Sequence, residues 1–263
     1  MKVGFFDSGI GGLSTLHQSM KVLPEVDYYF YADTDNVPYG EKSIEEIRRY
    51  VDHAVGFLVN KGCEVIVLAC NTATTAAITP LRNKYKIPVI GIEPAVKPAV
   101  AHCKDKRVMV MATPVTAKEP KLKNLIMRYD LDNKVDVVPM PGLVRLAQND
   151  EFEGDKLLNY IHKALADYDL SNYSQLVLGC THFNYFKDTF AKVFPGDIEM
   201  LDGNLGVSNH LRETIINLGL VKEEDLKGKG SVEYYYSDRK IEDREELDHI
   251  KALHQRLERN LKL

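Results

Sequence analysis

Eight short, β-rich apolar runs recur between amphipathic stretches: Val3 to Phe6, Tyr28 to Tyr31, Val65 to Ala69, Val89 to Ile92, Val108 to Met111, Val135 to Val138, Leu176 to Leu178 and Ile198 to Leu201. Runs of this length, separated by helix-length segments, read as buried strands joined by crossover helices. The expected fold is therefore α/β with mostly parallel sheets. The intervening segments carry helix signals, clearest in Ser43-Ile44-Glu45-Glu46. There Ser43 and Glu46 form a capping box before the apolar face Ile47, Val51, Val55, Leu58, and Gly62 closes the helix. Leu247, Ile250, Leu253, Leu257 and Leu261 draw one apolar stripe on a charged C-terminal helix, which is expected to pack onto a sheet.

Turn formers interrupt this rhythm twice, at Glu93-Pro94-Ala95-Val96-Lys97-Pro98 and at Asp202-Gly203-Asn204-Leu205-Gly206. A chain of 263 residues can build two small domains, and a double crossing makes the first one discontinuous. The expected lobes are residues 1–95 with 207–263, and residues 96–206. An internal echo supports two similar lobes. Leu68-Ala69-Cys70-Asn71-Thr72 and Leu178-Gly179-Cys180-Thr181-His182 each end an apolar run with a small residue, a cysteine and two polar side chains. Phe5-Phe6-Asp7-Ser8 and Met111-Ala112-Thr113 form a weaker pair of the same kind. Facing lobes bring all four strand ends to one cleft, the place where open α/β sheets bind ligands.

Charge and composition remove several classes of partner. Thirty-four Lys and Arg against 38 Asp and Glu give a net charge of −4, with no basic block dense enough to follow a phosphate backbone. Nucleic acid is therefore not expected as a primary partner. The start MKVGFFD meets Asp7 too early for a secretory signal, and no run approaches the roughly 18 apolar residues of a membrane span. A cytoplasmic protein without a membrane partner is expected. Cys63, Cys70, Cys103 and Cys180 show neither CxxC pairing nor zinc-finger spacing, so they are expected to be free thiols.

Cys63 and Cys103 read as small buried hydrophobes. Cys70 and Cys180 differ, because each stands past its strand beside residues that can start a helix, where a thiolate is stabilised and the thiol pKa is expected to fall towards neutrality. Two such thiols across a cleft suggest paired acid and base chemistry. Asn71, Thr72, Thr181 and His182 can serve as caps or, at opposed helix starts, hold a small anion such as an amino-acid carboxylate. Pro38-Tyr39-Gly40 reads as a turn before the capped helix. Asp7-Ser8-Gly9-Ile10-Gly11-Gly12, with Asp33 beyond it, resembles a dinucleotide turn. Ser14 occupies the place of the third fingerprint glycine, and Asp7 would set a carboxylate beside the pyrophosphate, so the glycines are read as structural. Cys70, Cys180 and His182 contain no short-range metal-ligand pair, and no metal is expected.

Taken together, FDSGIGG at Phe6 to Gly12, VPYG at Val37 to Gly40, ACNTAT at Ala69 to Thr74, EPAVKPA at Glu93 to Ala99 and LGCTHF at Leu178 to Phe183 resemble the bacterial glutamate racemases of the aspartate/glutamate racemase superfamily. The resemblance covers essentially the whole chain. It implies two α/β lobes around the substrate, a homodimer, and cofactor-independent interconversion of L- and D-glutamate, supplying D-glutamate for peptidoglycan. Cys70 is implied to take the α-proton from D-glutamate and Cys180 from L-glutamate, with Asp7 assisting the first and His182 the second. Substrate contacts are implied for Asp7, Ser8, Tyr39, Gly40, Asn71, Thr72, Thr113, Thr116, Thr181 and His182. The chain departs from the family pattern at Gln148, where many members carry a glutamate, at Asn184, where proline is common, and at Glu119, where serine is frequent. A racemase of another acidic amino acid such as aspartate, or a non-catalytic amino-acid-binding module, are the alternative readings.

The chemistry agrees with the paired thiols. Inversion at an α-carbon removes a proton from one face and delivers one to the other, which takes two groups on opposite sides.

Overall fold

The computed structural model describes residues 1–196, 198–221 and 228–262. Residues 222–227 and 263 of the expected first lobe, and residue 197 of the second, lie outside these. The strands among the described residues are β1 (Lys2–Asp7), β2 (Asp27–Ala32), β3 (Val65–Leu68), β4 (Val89–Gly91), β5 (Arg107–Ala112), β6 (Val135–Pro139), β7 (Tyr173–Gly179), β8 (Glu199–Leu201), β9 (Val232–Tyr236) and β10 (Arg239–Lys240). They form a six-stranded sheet, β10-β9-β2-β1-β3-β4, and a four-stranded sheet, β6-β5-β7-β8. All pairings are parallel except β9 with β10.

The fold is thus α/β with two mostly parallel sheets, and its first eight strands coincide with the eight apolar runs. β3 is apolar throughout and β1 is so from Val3 to Phe6, because helices cover both faces of a central parallel strand. The internal echo has a topological counterpart. The order β2-β1-β3-β4 repeats as β6-β5-β7-β8, so β3, which leads to Cys70, corresponds to β7, which leads to Cys180. The chain leaves the first sheet after β4, completes the second with β8, and returns to the first with β9.

The helix Ile44–Asn60 starts with the capping box: Ser43 Oγ accepts from the Glu46 N–H and Glu46 answers the Ser43 N–H. Its buried face contains Ile47, Val51, Val55 and Leu58. Gly62 follows at φ +84°, a left-handed conformation that closes the helix at no steric cost to glycine.

Two expectations need correction. The apolar runs omitted β9, which is Tyr-rich and half-buried, and β10, whose Arg239 and Lys240 are exposed; both lie at the edge of the larger sheet and lack the dense apolar signal of a central strand. The C-terminal helix Arg244–Asn260 does more than cover a sheet. Its Ile250, Leu253 and Leu257 are buried, whereas Leu247 and Leu261 at the ends of the stripe are exposed. It packs against the helix Leu13–Val22 and against the 3-10 turn Thr181–Phe186, and so reaches the end of β7. Among the described residues, no helix is long and apolar enough to cross a membrane.

Candidate active site

Cys70 stands two residues past β3 as the N-cap of the helix Asn71–Lys84, and its Sγ accepts from the Ala73 N–H at 3.4 Å. Cys180 stands one residue past β7 as the N-cap of Thr181–Phe186, with no side-chain cap bond. Asp7 ends β1 next to β3, and Thr113 follows β5 next to β7. The ends of the two sheets are therefore turned towards each other, and Cys180 lies close enough to the other half-site to feel the charges of Cys70 and Asp7.

Each thiol has its own polar partners. On the Cys70 side, Ser8 Oγ lies 3.7 Å from Cys70 Sγ and 3.4 Å from Asp7 Oδ1, a short path between thiol and carboxyl. Asp7 also accepts from the Gly9 N–H and from Thr181 Oγ1, both at 2.9 Å. On the Cys180 side, His182 Nδ1 lies 3.8 Å from the thiol, while His182 Nε2 meets Gln148 Nε2 at 2.8 Å. Gln148, the departure from the family pattern, is thus in direct contact with the histidine.

A hydroxyl cluster closes another side. Thr72 Oγ1 lies 2.9 Å from Thr113 Oγ1 and 3.3 Å from Thr116 Oγ1. Thr113 also caps the short helix Pro114–Lys118. Gly40 packs against Thr113 so closely that a Cβ there would come within 2.7 Å of the threonine Cβ. Tyr39 donates to Asp33 Oδ2 at 2.5 Å, and Asp33 also accepts from Asn36 and Ser237. This network gives Asp33 a structural role and removes the ribose-binding reading.

All twelve expected site residues come together and are buried. Asn71 Oδ1 is a buried acceptor without a partner among the described residues. A cavity of about 200 Å³ lined by Thr75, Glu93, Lys121, Leu125 and Arg128 reaches the cluster at Thr116. Among the described residues, no group of three or more His, Cys, Asp or Glu side chains is placed to hold a metal ion.

Burial dominates the acid–base balance, which corrects one expectation. The Cys70 thiol, despite its place at a helix start, is pushed up to about 12 by desolvation and by the neighbouring Asp7 charge. Cys180 is raised as well, by desolvation and then by Cys70. A helix terminus offers only a partial charge, which cannot offset the loss of water around a fully enclosed sulfur. Desolvation also raises Asp7 to about 7, against hydrogen bonds that favour its charged form. It lowers His182 to about 3, which favours the neutral imidazole.

The glycines of the Asp7 turn are accounted for by packing. A Cβ on Gly11 would fall 2.5 Å from both Thr181 Oγ1 and His182 Nδ1, and one on Gly9 would overlap the Gln148 amide. They let the β1 turn of one sheet lie directly on the Cys180 turn of the other.

Residues 13–205 match the family model for Asp/Glu/hydantoin racemases. The chain belongs to this racemase family. Among its relatives, the glutamate racemase of Lachnospira eligens is 64% identical over 261 residues, 98% of each chain. The racemase fold is shared with the crystal structure of glutamate racemase from Campylobacter jejuni, at 27% identity and a TM-score of 0.80, covering 97% of this chain and 98% of that one. Glutamate racemase from Francisella tularensis in complex with D-glutamate is 26% identical with a TM-score of 0.78, covering 95% and 92%.

Sequence reasoning passed over Arg256 and Asn260 of the C-terminal helix, which hold the Cys180 turn of this racemase from outside. Their polar side chains at buried positions of an amphipathic helix were the available signal.

Proposed function

We propose that this chain interconverts L- and D-glutamate, with Cys70 and Cys180 acting on opposite faces of the α-carbon. The observation that carries the reading is the pairing of two buried cysteines at equivalent strand ends of two sheets with the same order, each beside its own acid–base partner. The substrate is supported by the 64% identical glutamate racemase and by the D-glutamate bound to the Francisella relative.

Each turnover begins with one cysteine as thiolate and the other as thiol. The thiolate takes the α-proton, the C–H electron pair is left on the α-carbon and spreads into the α-carboxylate, and the opposite thiol gives its proton to the other face. The two sulfurs end with their states exchanged. Cys70 takes the proton from D-glutamate and Cys180 from L-glutamate. Asp7, near neutrality, accepts or returns the Cys70 proton through Ser8, and neutral His182 orients Cys180. The helix start at Asn71 and the hydroxyls of Thr72, Thr113 and Thr116 offer donors to a carboxylate. Asn71 Oδ1 suits the ammonium, whose positive charge makes a nearby thiolate easier to form. Ser8, Tyr39, Gly40 and Thr181 complete the substrate shell.

The same reading places the enzyme in the cytoplasm as a homodimer, supplying D-glutamate for peptidoglycan. It divides the chain into lobes 1–95 with 207–263, and 96–206.

The test is hydron incorporation in D2O, followed by early-time mass spectrometry of separated enantiomers and started once from each of them. Product carrying deuterium at first appearance, with substrate still protiated, is expected in both directions. Protiated early product would rule out two separate bases.

A further inference from the structure

We infer that Arg256 is a positioning residue for the Cys180 half of the site. The inference rests on the two-cysteine reading above.

The turn Thr181–Phe186 is a fully buried six-residue 3-10 segment. Runs of this length are uncommon because their hydrogen-bond geometry is poor, so such a turn needs support from outside. Thr181 binds Asp7 and His182 faces Cys180, which makes the shape of this turn the shape of the half-site.

The support comes from the last turns of the helix Arg244–Asn260. Asn260 Nδ2 donates to the Asn184 carbonyl at 2.9 Å, and Arg256 Nε donates to the Tyr185 carbonyl at 2.8 Å. The Arg256 guanidinium, only 7% exposed, continues to both Asp188 oxygens at 3.0 and 2.8 Å, to Glu153 Oε1 at 2.9 Å and to the Phe152 carbonyl at 3.3 Å. Its plane lies 4.9 Å from the centre of the Phe152 ring. Phe152 and Glu153 follow the helix Pro141–Gln148, whose last residue touches His182. One planar cation thus joins the turn that contains His182 to the segment following the helix whose last residue touches it. Tyr185 then ties the turn to the other sheet by donating to the Ile10 carbonyl at 2.9 Å.

Arg256 touches none of the reacting groups, and none of its hydrogen bonds reaches the Cys70 side. A buried ion pair adds little net stability over well-packed apolar side chains. What the guanidinium supplies is direction, since its planar fork holds a carbonyl and a carboxylate in one fixed geometry, whereas the donors of a lysine ammonium rotate on a flexible stem.

The experiment compares Arg256→Met and Arg256→Lys with the native enzyme and with Cys180→Ala. It measures kcat and KM in both directions, thermal unfolding, and the alkylation rates of Cys70 and Cys180 resolved by mass spectrometry. The two enantiomers are equally stable, so kcat/KM must fall by the same factor in both directions, and the half-site signature is sought in thiol reactivity. For Arg256→Met, a loss of about 10- to 100-fold in kcat is expected, with KM within about threefold, as for a displacement near 1 Å. Cys180 alkylation should change severalfold while Cys70 stays within about twofold, and Arg256→Lys should recover part of kcat. Native kcat in a folded Arg256→Met protein, or equal changes at both thiols, would overturn the inference. If Arg256→Met does not fold, native kcat and native Cys180 reactivity in Arg256→Lys overturn it equally. Racemisation by Cys180→Ala would remove the underlying two-cysteine reading, whereas an inactive Cys180→Ala beside an indifferent Arg256 removes only the positioning role.

Discussion

The Thr181 hydroxyl donates to the Asp7 carboxylate at 2.9 Å across a sequence separation of 174 residues. Asp7 ends a strand of the larger sheet and Thr181 follows the cysteine that ends a strand of the smaller one. This bond couples the acid beside Cys70 to the turn beside Cys180.

The four cysteines should separate into two classes. Cys70→Ala and Cys180→Ala are each expected to abolish racemisation, whereas Cys63→Ala and Cys103→Ala should keep turnover within a fewfold of native. All four thiols are buried, so burial alone does not divide them, and only Cys70 and Cys180 stand at the facing strand ends. A circular-dichroism assay from either enantiomer decides it, and turnover by Cys70→Ala or Cys180→Ala would refute the two-base scheme.

Gly11→Ala should damage both halves of the site together. Its Cβ would lie 2.5 Å from Thr181 Oγ1 and 2.7 Å from the His182 backbone nitrogen, so the two turns must move apart. Overpacking of this kind costs about 1–3 kcal/mol. Denaturant unfolding and kcat should fall together, and native values of both would show that the two turns yield freely.

Tyr39→Phe removes one donor from Asp33 and leaves the buried carboxylate, among the described residues, with Asn36 and Ser237. Loss of a bond to a buried charged group costs about 1–3 kcal/mol. Since Gly40 adjoins Thr113, a shift of this turn should also raise KM for glutamate. An unchanged KM with reduced stability would confine Tyr39 to a structural role.

Asp7 and His182 should give opposite signatures in stability against pH. Asp7 has its folded pKa raised to about 7, so its contribution is complete below the unfolded value of roughly 4 and is lost as pH rises through 7. The loss is on the order of 4 kcal/mol. Asp7→Asn should therefore gain on the native protein between pH 4 and 8. His182, with its folded pKa lowered to about 3, contributes stability above roughly pH 6.5 that is lost as pH falls towards 3. His182→Gln should lessen that acid loss. Thermal melts across pH 4–8 check both, and parallel curves for native and Asp7→Asn proteins would contradict the burial assigned to Asp7.

Much of this architecture was legible because it is local. The apolar runs that became β1 to β8, the Ser43–Glu46 capping box and the cysteines at two strand ends are patterns within a few residues, where backbone geometry and burial leave a direct mark. Only the tertiary structure decided the rest. Arg256 meets Tyr185 across 71 positions and Gly11 lies against His182, and no local period encodes either contact. The acidity of Cys70 departs from what its helix start implies for the same reason. A helix terminus can be read from the adjacent residues, but the desolvation that outweighs it arises when two distant strand ends enclose the thiol.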